Sequence, residues 1–339
     1  MMRVGYVHYD GPVKNKVTSY RVGTGQSTPF NPNVMRMGGP RAILHIFGGD
    51  TIPLDENFDY KQINCDLIYF WIQGGIGGEL NALKKFRESS DAVFVQFFDD
   101  VYWLDNYSRN HYLNIWKPVT DLMDVLTSGY MSDDERISVL EKPWRYLPYP
   151  HDVQYYKQFF KKREEKENTF FSMVHGRMTY CKRTLMLYKR LHEKYPSWKF
   201  IMHPYRYFSK EQILAEFNFE PLSWIEFSPI ADDFFQFLTS KMIQIDEYPS
   251  LSQSQVVTQA ACFGVPTISH SFNSPNMVCF PKLTFDINDL ESWYIGAGRL
   301  VDSESFYKEV QEYAFNAVEE YNFDKFRDRL TKIYLEFKK

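Results

Sequence analysis

Short apolar runs alternate along this chain with amphipathic stretches, the pattern of buried strands followed by surface helices. Residues 3–9 have the apolar content of a first buried strand. They run into a polar loop rich in Gly, Pro, Asn and Thr that reaches Gly39, and a loop of that length in a compact domain is usually functional. Residues 41–47 read as a short helix or a strand, broken by Gly48-Gly49-Asp50. The run CDLIYFWI, residues 65–72, is apolar throughout and predicts a central strand covered on both faces. A helix over 79–88 and a strand over 92–98 follow, the strand ending in Asp99-Asp100. Helical periodicity covers 111–126, with Ser128-Gly129 as its stop. A short apolar group at Tyr146-Leu147 leads to PYPHD, and the charged run KKREEK, residues 161–166, reads as an interdomain connection.

The second half repeats the alternation. Strands are expected at 169–174, 198–202, 225–227 and 242–245, and helices at 181–194, 210–217 and 232–239. From Glu247 to Ile268, EYPSLSQSQVVTQAACFGVPTI reads as loop, helix, Gly-Val-Pro turn and strand, with Ser252 and Ser254 placed to cap the helix start. A helix that begins at the carboxyl end of a strand turns unpaired N–H groups and its positive dipole end toward the crevice, where an anion such as a diphosphate fits. The tail from Ser303 reads as amphipathic helices. Such alternation argues two parallel sheets with helices on both faces.

Composition bounds this picture. A chain of 339 residues accommodates two domains of ordinary size, and 44% hydrophobic with 24% charged residues is globular. Aromatic residues make up 18%, a high fraction: many of these rings are expected in the core and some are candidates for a sugar or base pocket, two readings that composition does not separate. The net charge of −4 supplies no basic footprint for nucleic acid held by charge alone. Cys65, Cys181, Cys262 and Cys279 lack the short spacings of a zinc site or a disulfide framework, which fits a reducing cytoplasm. Neither a secretory leader nor an apolar run of membrane-spanning length is read in the sequence.

Several segments can carry chemistry. The turn containing Gly74 and Gly75 lets backbone approach a ligand closely, although its spacing is not that of a dinucleotide fingerprint. Asp99 and Asp100 end a strand at the ligand edge of an open α/β sheet. His175-Gly176-Arg177 follows a strand and precedes a helix that carries Lys182, Arg183, Lys189 and Arg190. The last three read as a solvated face, and His175 is a secondary candidate.

Gly176, Arg177 and Lys182 resemble the G-R-x-x-x-x-K pattern that opens the donor domain of the retaining GT-B glycosyltransferases of the sucrose and glycogen synthase type. The fragment WIEFSPIADDFFQFLTSKMIQIDEYPS, from Trp224, is similar to that family's later strand-turn-helix-strand, and QAACFGVPTI to its E-A-x-A-x-G-x-P-x-I segment. RYLPYPHDVQYYK resembles the link out of its acceptor domain. VFVQFFDD and FDINDLES look like segments of the DNA α-glucosyltransferases of T-even-type phages.

The resemblance implies an α/β protein with two Rossmann-like domains facing a cleft and C-terminal helices. An acceptor domain at 1–160, a donor domain at 161–305, and helices at 306–339 that pack back on the first domain are expected. It further implies a cytoplasmic enzyme, in a bacterial host if phage-encoded, that moves a sugar from a nucleoside diphosphate, UDP-linked, to an acceptor hydroxyl with retention. No metal or other cofactor is expected, because Arg177 and Lys182 supply the positive charge. Gly176, Arg177, Lys182, Ser252, Gln253, Ser254 and Gln255 would hold the diphosphate, Gln259 the ribose, and Asp99 or Asp100 the acceptor hydroxyl. The family's glutamate pair is absent: Gln259 takes the place of the second, and Gln253 or Glu247 stands in for the first. The acceptor is a hydroxymethylated base in phage DNA, or a surface glycan, lipid or small metabolite. A silent GT-B module that only binds nucleotide sugar or DNA is the alternative of another class.

Overall fold

The computed structural model describes residues 2–9, 40–48, 51–72, 79–98, 109–129, 139–174, 181–204, 211–212, 215, 223–227, 234–247 and 254–338. In chain order the first elements are β1 Val4–Tyr9, α1 Pro40–Phe47, β2 Leu67–Ile72, α2 Leu80–Glu88, β3 Val93–Phe98, α3 Arg109–Thr120, β4 Val125–Ser128, β5 Trp144–Tyr146 and α4 Val153–Lys157. Then come β6 Glu167–Val174, α5 Cys181–Lys194, β7 Lys199–Pro204, β8 Ile225–Phe227, α6 Phe234–Thr239, β9 Lys241–Asp246, α7 Gln255–Phe263 and β10 Thr267–His270. The chain closes with α8 Ser274–Cys279, β11 Thr284–Phe285, α9 Leu290–Asp302, α10 Glu304–Ala317 and α11 Phe323–Phe337. Two compact units result: one takes the chain to Asp152 and again from Tyr321, the other the described residues between Val153 and Glu320.

In the first unit all strand pairs are parallel, in the order β1-β2-β3-β4-β5. The apolar strands need cover on both faces, and alternation supplies it. Ile68, Phe70 and Ile72 enter one core with Phe86, Phe94 and Trp116, while Leu67 and Tyr69 enter another with Val95 and Phe97. Phe326, Leu330 and Ile333, spaced along one face of α11, close that second core. Tyr6 also bridges Thr51 in parallel on the edge of β1 away from β2. The strand order therefore reverses between β1 and β2, a topological switch point.

The second sheet is also parallel, in the order β11-β10-β9-β6-β7-β8. From β6 the chain steps outward to β7 and β8 and then returns to β9 on the other side, so the switch point lies between β6 and β9. Ligands of open α/β sheets bind outside the carboxyl ends of the strands at such a point. The segments that leave it are those that precede α5 and α7.

One expectation about an element is corrected. The helix expected over 111–126 ends at Thr120, and Val125–Ser128 is a strand. The Asp124 carboxylate accepts from the Phe94 backbone N–H at 2.8 Å and from both Arg87 Nη atoms at 2.8 and 2.9 Å, which commits the next residues to the sheet. Apolar residues at 122, 123, 125 and 126 satisfy either period, so spacing alone does not separate the two states. The KKREEK run contains a 3-10 turn at Arg163–Glu165 and lies in the second unit, which begins at Val153. The C-terminal helices divide as well. The α10 helix belongs to the second unit, where the Tyr307 hydroxyl donates to Met242 O at 3.0 Å, and α11 belongs to the first.

Candidate functional site

At the carboxyl end of β9 two acidic residues follow a buried apolar pair, Ile243 and Ile245. Asp246 is buried and accepts from Asn273 Nδ2 at 2.9 Å. The same amide reaches Ser269 Oγ at 3.1 Å, and that hydroxyl donates to Asp246 O at 2.7 Å, so the ends of β9 and β10 are tied together. Asn273 is also the N-cap of α8, its side chain accepting from Asn276 N.

Glu247 points to the helix after β6. One carboxyl oxygen accepts from the Thr184 backbone N–H at 2.6 Å and from its hydroxyl at 2.7 Å, and the other lies 3.5 Å from Arg183 Nη1. Thr184 is in the first turn of α5, where N–H groups have no partner within the helix. Glu247 therefore sets a carboxyl against the first turn of α5, reaching across the switch point from β9. Burial pushes its carboxyl up to about 8, against the Thr184 bonds and the Arg183 charge that favour ionisation.

The α7 helix is arranged differently. Ser254 occupies the N-cap with extended backbone (φ −60°, ψ 101°), yet its side chain makes no capping bond. Its hydroxyl is buried and has no hydrogen-bond partner among the described residues. Gln259 is 1% exposed, and neither its Oε1 nor its Nε2 has a partner among those residues. Gln255, one turn earlier on the same face, is half-buried. A buried polar group left without a partner costs about 1–3 kcal/mol, and native proteins leave few of them. The start of α7 thus sets a hydroxyl and a carboxamide, both suited to a polar ligand, at the positive end of a helix.

The other end of α7 is pinned. Gly264 takes the left-handed conformation (φ 69°) and the Val265 N–H closes on Ala260 O at 2.8 Å, so the helix stops there. The Lys166 ammonium donates to Phe263 O at 3.0 Å and to Thr239 O at 3.1 Å, meeting the negative ends of α7 and α6. Burial pushes that amine down to about 7.

Of the residues singled out from sequence, Lys182, Glu247, Ser254, Gln255 and Gln259 lie in the second unit on the segments that leave the switch point. Lys182 is exposed in the first turn of α5. Gly74, Gly75, Asp99, Asp100, His175, Gly176, Arg177, Ser252 and Gln253 lie outside the described residues. One expectation is corrected: Ser254 does not cap with its side chain. Glu247 is engaged by Thr184 and Arg183. Arg183 and Thr184 were missed by the sequence reading. Arg183 had been grouped with a solvated face, and the only signal for it was its place in the first turn after a strand. Among the described residues no group of three or more His, Cys, Asp or Glu could hold a metal ion, and no helix is long and apolar enough to cross a membrane.

No protein family and no curated protein matches the sequence. Solved structures do match in fold. Anabaena Alr3699/HepE in complex with UDP superposes with a TM-score of 0.64 at 9% identity over 99% of this chain and 100% of that one. An alpha-glucosyltransferase (AGT) in complex with UDP gives 0.61 at 14% identity over 100% of both chains. Trehalose-6-phosphate synthase OtsA gives 0.56 at 9% identity over 80% of this chain and 72% of that one. At these identities the likeness is one of architecture, and the expected class holds: α/β, with two Rossmann-like parallel sheets, as in the GT-B glycosyltransferases.

Proposed function

We propose that this chain is a glycosyltransferase that takes a nucleoside-diphosphate sugar, UDP-linked, on its second unit and moves the sugar to an acceptor hydroxyl. The observation that carries the reading is the start of α7, where the buried Ser254 hydroxyl and Gln259 carboxamide have no partners among the described residues. It lies beside a sheet switch point, where an open α/β fold binds its ligands. UDP in the matched HepE and alpha-glucosyltransferase structures supports the choice of nucleotide.

In this reading the α7 N–H groups, Lys182 and Arg177 hold the diphosphate, and Gln259 bonds the ribose hydroxyls. As the bond from the anomeric carbon to the diphosphate oxygen breaks, negative charge gathers on the leaving group, and fixed N–H donors and cations stabilise it without a metal. The guanidinium of Arg177 suits a phosphate through paired donors, and Lys182 adds a point charge. The acceptor oxygen forms the new bond to the anomeric carbon. With retention its proton passes to the leaving phosphate on the same face; with inversion Asp99 or Asp100 takes it.

For the acceptor we favour a hydroxymethylated base in DNA, as in phage DNA modification. An alpha-glucosyltransferase in complex with UDP and a 13-mer DNA containing a HMU base matches over 100% of this chain and 99% of that one at 14% identity, which supports the choice. A glycan, lipid or small metabolite is the second reading, favoured by the equally full-length match to HepE and by the net charge of −4. The test is UDP release and sugar transfer from a panel of UDP-sugars with hydroxymethylated DNA, plain DNA or no acceptor. Release driven by the modified DNA is expected. Release indifferent to DNA moves the acceptor to the second reading, UDP binding with no release on any acceptor makes the chain a silent binder, and neither binding nor release refutes the proposal.

A further inference from the structure

We infer that Glu247 is a positioning residue of the donor site: by binding Thr184 and facing Arg183 it fixes the first turn of α5 against the carboxyl end of β9. The inference rests on the nucleoside-diphosphate site proposed above and names a part of it that the family likeness does not supply.

The argument is geometric. The donor segments leave the sheet from two neighbouring strands, β6 and β9, paired in register through Phe170↔Ile243 and Ser172↔Ile245. Beyond their carboxyl ends the backbone ladder stops, and the starts of α5 and α7 need another constraint to stay at a fixed separation. Glu247, 6% exposed, supplies it on the α5 side with bonds of 2.6 and 2.7 Å to one residue of the first helical turn. Two short bonds from a backbone N–H and a hydroxyl to one oxygen hold both the height and the rotation of that turn. Lys182, two residues before Thr184, is carried with it.

Charge makes the choice of residue informative. An ionised carboxylate beside a diphosphate repels it, whereas a buried carboxyl that keeps its proton through neutral pH holds the turn without that penalty. The charged group facing it from α5 is Arg183, Thr184 offers only neutral donors, and on its own strand Asp246 is engaged by Asn273. Donor binding should therefore weaken once Glu247 ionises, with the carboxyl standing at about 8 in the free protein.

The test uses the full chain. UDP affinity is measured by titration calorimetry, and KM and kcat for UDP-glucose are followed from about pH 6 to about pH 9.5, across the range where the carboxyl ionises. Glu247→Gln keeps an oxygen for Thr184 and cannot ionise, so its KM stays within about threefold of wild type at pH 7 and its alkaline loss of UDP affinity is flattened. Glu247→Ala releases the turn and raises KM and the UDP dissociation constant about tenfold, with kcat within about threefold. Thr184→Val, which removes the hydroxyl and keeps the backbone bond, moves KM the same way by a smaller factor and serves if the alanine variant does not fold. A folded Glu247→Ala protein with wild-type UDP affinity, or one that loses kcat at constant KM, overturns the inference while leaving the donor site standing. Wild-type protein that binds no UDP at any pH overturns the donor site and this inference with it.

Discussion

Replacing Gly264 by alanine perturbs the end of α7 without touching its start, and the cost can be worked out contact by contact. The residue sits at φ 69°, ψ 36°, a left-handed conformation that costs a residue with a Cβ about 1–2 kcal/mol. The added methyl would lie 2.6 Å from Gln311 Nε2, 2.7 Å from Phe160 Cε2 and 2.9 Å from Lys161 O. The first two are side-chain tips that can yield, but the third is backbone. Moving Gln311 gives up its bonds to Lys161 O at 2.9 Å and to Gly264 O at 2.8 Å, each a net contribution of about 1 kcal/mol. The total is about 3–4 kcal/mol, a large share of the roughly 5–15 kcal/mol that stabilises a domain. With two units, one melting temperature does not isolate the effect, so amide hydrogen exchange in native buffer is the assay. The opening free energies of α7 and β10 amides should fall by about 3 kcal/mol or more while those of β2 and β3 hold steady. Gln311→Ala alone should cost about 2 kcal/mol and add less than its full amount to Gly264→Ala, because the two share the same bonds. A loss under about 0.5 kcal/mol in the single Gly264 variant, or equal losses in both units, would refute the reasoning.

Stability should also depend on pH through Glu247. Its native value of about 8 lies above the ordinary 4.5, so the folded state holds the proton longer, and the stabilisation present below about pH 4.5 is lost as pH rises through 8. At roughly 1.4 kcal/mol per pH unit the window amounts to at most about 5 kcal/mol, and Glu247→Gln should remove that decline in denaturant titrations run at several pH values; a wild-type slope retained by the variant contradicts the assignment. Gln259→Met replaces a buried amide that lacks partners among the described residues with a thioether of similar volume. The free protein should gain about 1 kcal/mol in urea unfolding and lose about tenfold or more in UDP affinity, a trade of binding for stability. A variant that is less stable and binds UDP normally would show that Gln259 serves the core.

Periodicity made most of the fold legible. The expected segments 225–227 and 181–194 coincide with β8 and α5, and 65–72 and 92–98 overlap β2 and β3, because buried parallel strands are apolar throughout and their helices are not. It failed at residues 121–126, where the Asp124 contacts with Arg87 and Phe94, 37 and 30 positions upstream, decide between helix and strand. The candidate site divided along the same line. The helix carrying Ser254, Gln255 and Gln259 was legible from its Gly-Val-Pro stop, while Gln259 itself was singled out by the family resemblance. The bond between Glu247 and Thr184 was not, since it joins residues separated by 63 positions that meet only because β6 and β9 are neighbours. Likewise, no local pattern distinguishes Arg183, which faces a buried carboxyl, from Arg190, which pairs at the surface with Glu291.

The central claim is that a nucleoside diphosphate binds where α5 and α7 begin beside the switch point of the second sheet. Hydrogen exchange of the full chain with and without saturating UDP tests it directly. Amides in the first turns of α5 and α7 should slow on adding UDP while those in the last turns of the same helices stay unchanged. Slowing that spares both starts, or that is confined to the first unit, would contradict it.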